Sequence, residues 1–343
     1  MKHFKIIFSV FMALILVPLN AQDELEDRLS AVEKAVSKLP RITGDFNFRY
    51  RYDDVNDINS FDLRRARLDF RGNISKSVDY RFHADIAVNA RMMDGLVNWK
   101  INQYATLRAG QYKIPFSLES PYNAALLETT ERALVIQGLV NYADVSGISA
   151  NGRDIGVSLL GDFYKKEGYY LLNYYFGIFN GSGINRAVDE NKAKDFSGIF
   201  SVNPIKPVTV ALSYYNGGRI FEQDSILKRE RLGFGARYDD GRLLVRAEYI
   251  MGTTVNPNVT SYKSDGYYAL IGYFVHPKLQ VLTRYDYLQK DLDDKNSARN
   301  DLTVGINYMP VNNLRLHLNY LLINEHDKDK GRDYIVAQLW IRF

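Results

Sequence analysis

Alternation of apolar and polar side chains is the dominant pattern of the chain from residue 41 to residue 343. In one run Val78, Tyr80 and Phe82 alternate with Asp79 and Arg81, and similar runs recur throughout this part of the chain. Successive side chains of a β-strand point to opposite faces, and about ten residues of a tilted strand suffice to cross a membrane. The pattern therefore predicts strands with one apolar and one polar face. A soluble β-sandwich would also alternate, so a second feature has to separate the two folds.

That second feature is the length of the connections between strands. Residues 203–207 and 276–278 give short connections, whereas residues 177–195 and 114–152 give long ones, and the two kinds take turns along the chain. Membrane barrels have this arrangement, with short periplasmic turns and long external loops. We therefore predict an all-β fold, a transmembrane antiparallel β-barrel of about sixteen strands. A short N-terminal periplasmic coiled-coil helix is expected to precede it.

The segment before the barrel has two parts. Lys2 and Lys5 precede an apolar stretch, and Ala21 is a small residue at a plausible cleavage point, so residues 1–21 are predicted to be a secretory signal peptide. Residues 23–40 carry apolar side chains at heptad spacing: Leu25, Leu29, Val32, Val36 and Leu39. This predicted periplasmic helix either joins subunits by forming a coiled coil or remains a single amphipathic helix. The chain has no cysteine, which excludes disulfides and thiolate metal sites.

Basic residues are concentrated on the polar faces of the first five predicted strands. Because the outer face of a membrane barrel must be apolar, these polar faces are expected to line the lumen. The predicted pore-lining, anion-binding residues are Arg49, Arg51, Arg65, Arg67, Arg71, Arg81, Arg108 and Lys113. They outnumber the acids on the same strands, and arrays of arginine favour anions. Two alternatives stay open: acids on an inserted loop could face the arginines across the pore, or the charges could simply pair across strands.

The barrel is predicted to span residues 41–343, and its longest connection, residues 114–152, is an inserted loop. The charged residues of this loop are Glu119, Glu128, Glu131, Arg132 and Asp144, and several leucine, isoleucine and valine residues lie among them. Apolar side chains would not remain freely in water, so we expect the loop to fold back into the barrel and form a constriction. The alternative is an external lid or a contact with a neighbouring subunit.

Sequence motifs of enzymes are missing from the chain. It has no phosphate-binding glycine loop, no dinucleotide fingerprint, no zinc-protease motif and no nucleophile elbow. His83 is expected to face the lumen beside Asp85, where solvation of the wall is the simpler role. The interleaved aromatic residues should face lipid, which argues against nucleic-acid binding. We therefore expect no catalytic residues, no metal and no cofactor.

Four segments resemble the phosphate-selective porin O/P family, in order and at similar spacing across residues 42–343. They are RAGQYKIPFS (residues 108–117), Glu131-Arg132, GRDIG (residues 152–156) and GIFNGSG (residues 177–183), and the arginine-rich LRRARL (residues 63–68) is also similar. The chain has Ala133 where the family has serine. Members of the family have a dense cluster of lysines near the channel mouth. The basic residues on the predicted outer loops of this chain are Lys192, Lys194, Lys228 and Arg229.

The resemblance implies a sixteen-stranded, usually trimeric outer-membrane channel that takes up phosphate or other anions. The expected function is thus an outer-membrane porin, a passive water-filled channel that prefers anions and in its narrowest form selects phosphate or polyphosphate. The alternative is a surface-binding or adhesin-type barrel with no open channel. The expected partners are small anions, outer-membrane lipid and two further copies of the chain, and the expected location is the bacterial outer membrane after Sec export.

Overall fold

The computed structural model describes residues 39–124, 126–189, 191–220, 225–255, 261–328 and 331–343. The chain divides into two compact units, Met1–Arg41 and Ile42–Phe343, and nearly all of the described residues belong to the second. The predicted signal peptide lies outside the described residues. So does the predicted helix at residues 23–40, except for its last two positions.

Sixteen antiparallel strands are found in the described part of the chain. They are β1 (Arg41–Asp53), β2 (Ile58–Asn73), β3 (Val78–Asp85), β4 (Arg91–Lys100), β5 (Thr106–Lys113), β6 (Arg153–Lys166), β7 (Tyr169–Phe179), β8 (Asp195–Val202), β9 (Val208–Ile220), β10 (Ile226–Asp239), β11 (Leu243–Val255), β12 (Tyr262–His276), β13 (Leu279–Gln289), β14 (Ala298–Val311), β15 (Leu314–Glu325) and β16 (Arg332–Arg342). One short α-helix, α1 (Leu134–Leu139), and one 3₁₀ turn, Lys295–Ser297, complete the regular structure of these residues.

The sheet closes on itself. Each strand pairs with its neighbours in sequence, and β1 pairs with β16, so that Phe48 lies opposite Leu339 and Tyr50 opposite Ala337. Closure leaves no strand edge with unpaired backbone groups, which is the condition for a sheet to exist inside a lipid bilayer. The prediction of an all-β closed barrel with about sixteen strands is confirmed.

The alternation of side chains separates an outer apolar face from an inner face. On β12, Tyr267, Ile271 and Tyr273 are exposed on the outside, whereas Tyr268 and Leu270 are buried inside. Exposed aromatic and aliphatic side chains recur on the outer face of most strands. A surface of this size would be unfavourable in water and is the expected surface of a strand in lipid.

No helix in the described ranges is long and apolar enough to cross a membrane.

Several strands extend further than the alternation alone indicated. Residues 216–230 read as a loop, but β9 continues to Ile220 and β10 begins at Ile226. Residues 89–94 also read as a loop, although β4 begins at Arg91. These strand ends are rich in charged residues such as Arg229 and Asp94, which look like loop residues in the sequence but are buried inside the barrel.

The connection between β5 and β6, residues 114–152, lies inside the barrel. Its helix α1 contacts β11, β12 and β13. Val135, Ile136 and Leu139 are almost fully buried there, in one cluster with Ile250 and Leu288 of the barrel wall. The inner face of β11–β13 therefore forms a hydrophobic core with the loop, and the remaining lumen lies mainly against the opposite wall.

Candidate functional site

The first residues of the inserted loop are held by one carboxylate of the barrel wall. Glu248 of β11 accepts hydrogen bonds from the backbone N–H of Leu118 (2.7 Å), from the backbone N–H of Glu119 (2.9 Å) and from the hydroxyl of Ser117 (3.1 Å). Buried carboxylates require such donors to offset the loss of hydration. Glu248 thus fixes the point at which the chain turns from β5 into the lumen.

Buried ion pairs hold the rest of the loop. Arg246 contacts Glu119 (3.2 Å) and Glu128 (2.9 Å), and Arg231 contacts Asp144 (3.3 Å). Both arginine side chains are almost inaccessible to solvent. Three of the acids that we expected in the constriction are therefore bound to the wall on the closed side of the loop and do not face open lumen.

Glu131 has a different position, because it reaches across to the first strands of the barrel. Its carboxylate contacts Arg49 (2.8 Å) of β1 and Arg64 (2.5 Å) of β2. Burial raises the pKa of Glu131, but the positive charges of Arg64 and Arg49 outweigh burial and hold the pKa below its ordinary value. Glu131 is therefore ionised near neutral pH and ties the loop to the β1–β2 wall.

Arg132, the next residue, is bound within the loop. Its guanidinium donates hydrogen bonds to the backbone oxygens of Glu119 (2.9 Å) and Tyr122 (2.7 Å). It also lies over the ring of Tyr142, 4.7 Å from the ring centre, in a cation–π contact. These contacts fix the shape of the loop and leave the charge of Arg132 close to the lumen.

A cavity of about 270 Å³ lies between the loop and the wall formed by β2–β6. The strand residues that line it are Arg64, Arg65, Arg67, Arg81, His83, Lys113 and Arg153. The loop residues that line it are Pro121, Asn123, Ala124, Leu127, Thr130, Glu131, Arg132, Gln137, Tyr142, Ala143 and Asn151. Among the described residues of the lining, every one from a strand is thus basic or a histidine, and the loop contributes the one acid.

Six of the predicted site residues meet in this cavity: Arg65, Arg67, Arg81, Lys113, Glu131 and Arg132. Arg65 has no ion pair among the described residues, and its Nη1 atom is buried without a hydrogen-bond partner there. Lys113 donates to the backbone oxygens of Ser120 and Tyr122, both at 2.6 Å. Arg67 is paired with Asp85 at 2.8 Å.

The other predicted pore residues lie outside the cavity lining. Arg49 and Arg51 both contact Asp62, at 2.9 and 2.7 Å. Arg71 contacts Asp69 at 2.8 Å. Arg108 donates to Asn98 and Tyr175 and lies over the rings of two tyrosines. The expectation that charges pair across strands therefore describes several arginines well, and the excess of positive charge is concentrated at the cavity.

Three residues that line or support the cavity were missed in the sequence. Strict alternation places Arg64 on the lipid side, but the parity changes within β2: Phe61 is 69% exposed outside, whereas Arg67 is 6% exposed inside. A local irregularity of this kind, as at a β-bulge, lets Arg64 and Arg65 line the same cavity. The alternating pattern of the sequence gave no signal for this change.

Asp94 and Arg153 are the other two residues of the cavity region that were missed in the sequence. Asp94 is buried and binds Arg153 (2.7 Å), Arg81 (2.9 Å) and His83 (3.0 Å). The sequence placed His83 beside Asp85, but its hydrogen-bond partner is Asp94, because the register of β3 and β4 sets these two residues opposite each other. The GRDIG segment, which contains Arg153, was the available signal.

A second cavity, of about 250 Å³, lies against β13–β16 and the end of β1. Glu131, Arg132 and Gln137 line both cavities. The basic residues of the second cavity include Arg284, Arg299 and Arg332, but Asp53 and Asp301 lie among them. Its lining is therefore of mixed charge.

Three of the four basic residues expected on outer loops, Lys194, Lys228 and Arg229, line a further cavity of about 400 Å³. Lys194 is paired with Asp189. Arg229 is buried in β10, where it contacts Asp195 (3.2 Å) and donates to Asn141 (2.7 Å). The prediction that Arg229 lies on an outer loop is wrong, because it belongs to β10 and its buried side chain supports the inserted loop.

No group of three histidine, aspartate or glutamate side chains within the described ranges could hold a metal ion.

Known proteins resemble this chain at two levels. The family model described as "Phosphate-selective porin O and P" matches residues 40–191 and 211–342. No curated protein sequence matches the chain. An anion-selective porin from Comamonas acidovorans has a similar structure, with a TM-score of 0.69 and 13% sequence identity over 89% of this chain and 99% of that one.

Two further solved structures are similar. OmpF of Salmonella typhi has a TM-score of 0.65 and 12% identity, over 90% of this chain and 99% of that chain. The outer membrane channel DcaP of Acinetobacter baumannii has a TM-score of 0.64 and 11% identity, over 89% of this chain and 97% of that chain. At these identities the structures establish the fold, and the family is established by the match along most of the sequence. The chain belongs to the phosphate-selective porin O and P family and is a porin, a passive channel of the bacterial outer membrane.

Proposed function

We propose that this porin prefers anions and that the cavity between β2–β6 and the inserted loop determines the preference. The observation that carries the proposal is the charge of the lining. Its basic residues are Arg64, Arg65, Arg67, Arg81, Lys113, Arg132 and Arg153, and Glu131 is the one acid in the described part of the lining. A narrow passage with walls of one sign attracts ions of the opposite sign and repels the others.

The nearby acids reduce this positive charge without cancelling it. Asp85 is paired with Arg67, and Asp94 is shared by Arg81, Arg153 and His83. Neither Arg65 nor Lys113 forms an ion pair with any described residue. Guanidinium and ammonium groups donate strong hydrogen bonds to anionic oxygens, so these two side chains are the proposed contacts for a passing anion.

Two comparisons and the charge of the lining support an anion. The family is described as phosphate-selective, and the similar porin of Comamonas acidovorans is described as anion-selective. The lining offers positive charge, but of the four outer basic residues considered in the resemblance, Lys194 is paired with Asp189 and Arg229 is buried against Asp195. Phosphate or polyphosphate selectivity is thus the narrower form of the proposal.

The reversal potential of the purified protein in a planar lipid bilayer tests the proposal. In a KCl gradient we expect steady conductance with a potential biased toward chloride. A potential biased toward potassium would contradict the proposed preference. Complete absence of conductance would favour the alternative, a surface-binding barrel with no open channel.

We also propose that the mature chain begins at Gln22 after Sec export, that residues 23–40 form a periplasmic helix and that three copies assemble. The basic and apolar start of the chain supports export, and the heptad spacing of residues 23–40 supports assembly. The structure of one similar protein, OmpT of Vibrio cholerae, is of a trimer form. Intact mass gives the mature N-terminus, and light scattering with and without residues 23–40 gives the number of copies. A mass that includes residues 1–21, or a monomer in both samples, would contradict these proposals.

A further inference from the structure

The cavity that lies between the loop and β2–β6 has one basic wall and one mixed wall. The wall built by the strands consists of basic residues and His83, whereas the wall built by the loop combines polar side chains with apolar ones, namely Pro121, Ala124, Leu127, Tyr142 and Ala143. From this pairing we infer that the preferred solute is a small organic anion with an apolar body, such as an aromatic carboxylate, and not a bare inorganic anion. The inference rests on the proposed anion preference, adds the chemical class of the solute and replaces phosphate as the narrower form of that proposal.

Two apolar residues of this wall, Pro121 and Ala143, take no part in the packed core of the loop, whereas Tyr142 packs against that core and beneath Arg132. The loop is held by other residues, including Val135, Ile136 and Leu139, which are at most 2% exposed and pack against β11–β13. Pro121 and Ala143, in contrast, are exposed, and they border the lumen beside the basic wall. An apolar group of a solute that covered this surface would gain free energy from the removal of both surfaces from water.

The size of the cavity agrees with an organic anion. A volume of about 270 Å³ corresponds to roughly nine water molecules at about 30 Å³ each. A small tetrahedral anion could contact the arginines of the strand wall, but most of the cavity would remain filled with water. An aromatic carboxylate could place its carboxylate near Arg65 and its ring against Pro121, Ala143 and the edge of Tyr142.

Block of the chloride current tests the inference, with the full-length mature protein in a planar bilayer at neutral pH. Acetate, benzoate and inorganic phosphate are the probes. Acetate and benzoate carry the same carboxylate, so the difference between them reports the apolar body alone. We expect benzoate to block at a concentration about tenfold lower than acetate, which corresponds to burial of roughly 60 Å² of ring surface. We also expect benzoate to block at a lower concentration than phosphate.

Two variants locate the effect. The double variant Pro121→Ser/Ala143→Ser makes the loop wall polar and should lower the benzoate-to-acetate ratio to about threefold, with acetate block unchanged. The control is Leu126→Ser, on the same loop, because Leu126 is 44% exposed but does not line the cavity. It should leave the ratio unchanged. Arg65→Gln should weaken block by both carboxylates and leave their ratio intact.

These measurements distinguish failure of the organic-anion inference from failure of the proposed anion preference. Equal block by benzoate and acetate, stronger block by phosphate than by benzoate, or an unchanged ratio in the double variant would overturn the organic-anion inference. The proposed anion preference would survive those results as long as the reversal potential stays biased toward chloride. A bias toward potassium in the wild-type protein would overturn both.

Discussion

Replacing Arg65 with glutamine should lower the chloride-to-potassium permeability ratio about threefold. Arg65 lines the cavity and has no ion pair among the described residues, so its charge acts directly on a passing ion. A unit charge at about 6 Å in water contributes about 0.7 kcal/mol, and screening at an ionic strength of about 0.1 M roughly halves that value. Because the charge attracts chloride and repels potassium by the same amount, the two effects add to about 0.7 kcal/mol, or about threefold.

The assay is the reversal potential in a KCl gradient centred near about 0.1 M, where screening is moderate. The matched control is Arg71→Gln. Arg71 is 57% exposed, is already paired with Asp69 and does not line the cavity, so its loss should change the ratio much less. At about 1 M salt the difference between Arg65→Gln and wild type should nearly vanish, since the screening length falls to about 3 Å.

The opposite substitution gives the sharpest check of this reasoning. Glu131→Gln removes the one acid among the described residues of the same lining and should raise the chloride-to-potassium ratio, but by less than Arg65→Gln lowers it, because Glu131 is paired with Arg49 and Arg64. If both variants shift the ratio in the same direction, the shifts reflect damage to the barrel and not the charge of the cavity. If neither variant shifts it, ions do not pass this cavity and the proposed site is wrong.

Three further predictions concern the loop and the barrel wall. Glu248→Gln should lower the free energy of unfolding by about 2 kcal/mol, because a side-chain amide has one accepting oxygen where the carboxylate has two. Heat unfolding in detergent measures this difference, and a variant as stable as wild type would contradict the prediction. The pKa of Glu131 lies below its ordinary value, so its tie to Arg64 is complete above about pH 4.3 and is lost as the pH falls further. Current noise in wild type should therefore increase only below that pH, whereas Glu131→Gln should be noisy at neutral pH, and noise that rises with increasing pH would refute the assignment. Gly110→Ala should prevent barrel assembly, since Gly110 has φ +126° and a Cβ there would lie 2.1 Å from the backbone oxygen of Gly95. The control is Gly241→Ala, because Gly241 also has a positive φ (+89°) but a Cβ there would meet no atom within 4 Å. The yield of folded protein is the measurement.

The number and arrangement of strands could be predicted from the sequence because lipid allows so few exceptions. Each strand must show an apolar outer face, so the period of two persists from Phe46 to Ile341 and can be counted. The position of the inserted loop follows from the same count, since residues 114–152 break the period for longer than any other connection. Strand ends were less predictable where inward-facing charges, such as Arg229, resemble the composition of loops.

The partners of the inward-facing charges could not be predicted in the same way. Arg246 meets Glu119, and Arg153 meets Asp94, through the folding of the loop and the pairing of distant strands. The period of two predicts which face of the sheet a residue occupies, but it does not predict which residues of the loop or of distant strands its side chain contacts. Arg64 shows that the assignment of faces can also fail, because one irregularity within a strand exchanges the faces of the residues that follow it.

Labelling of a single introduced cysteine would test most directly whether anions pass the cationic cavity. The chain has no cysteine, so Ala124→Cys would provide its one thiol, within the lining of the cavity. We predict that a negatively charged methanethiosulfonate reagent lowers both the conductance and the bias toward chloride, and that a positively charged reagent increases the bias. If mass spectrometry shows complete labelling by both reagents and neither conductance nor reversal potential changes, the cavity is not on the path of the ions and the account is wrong.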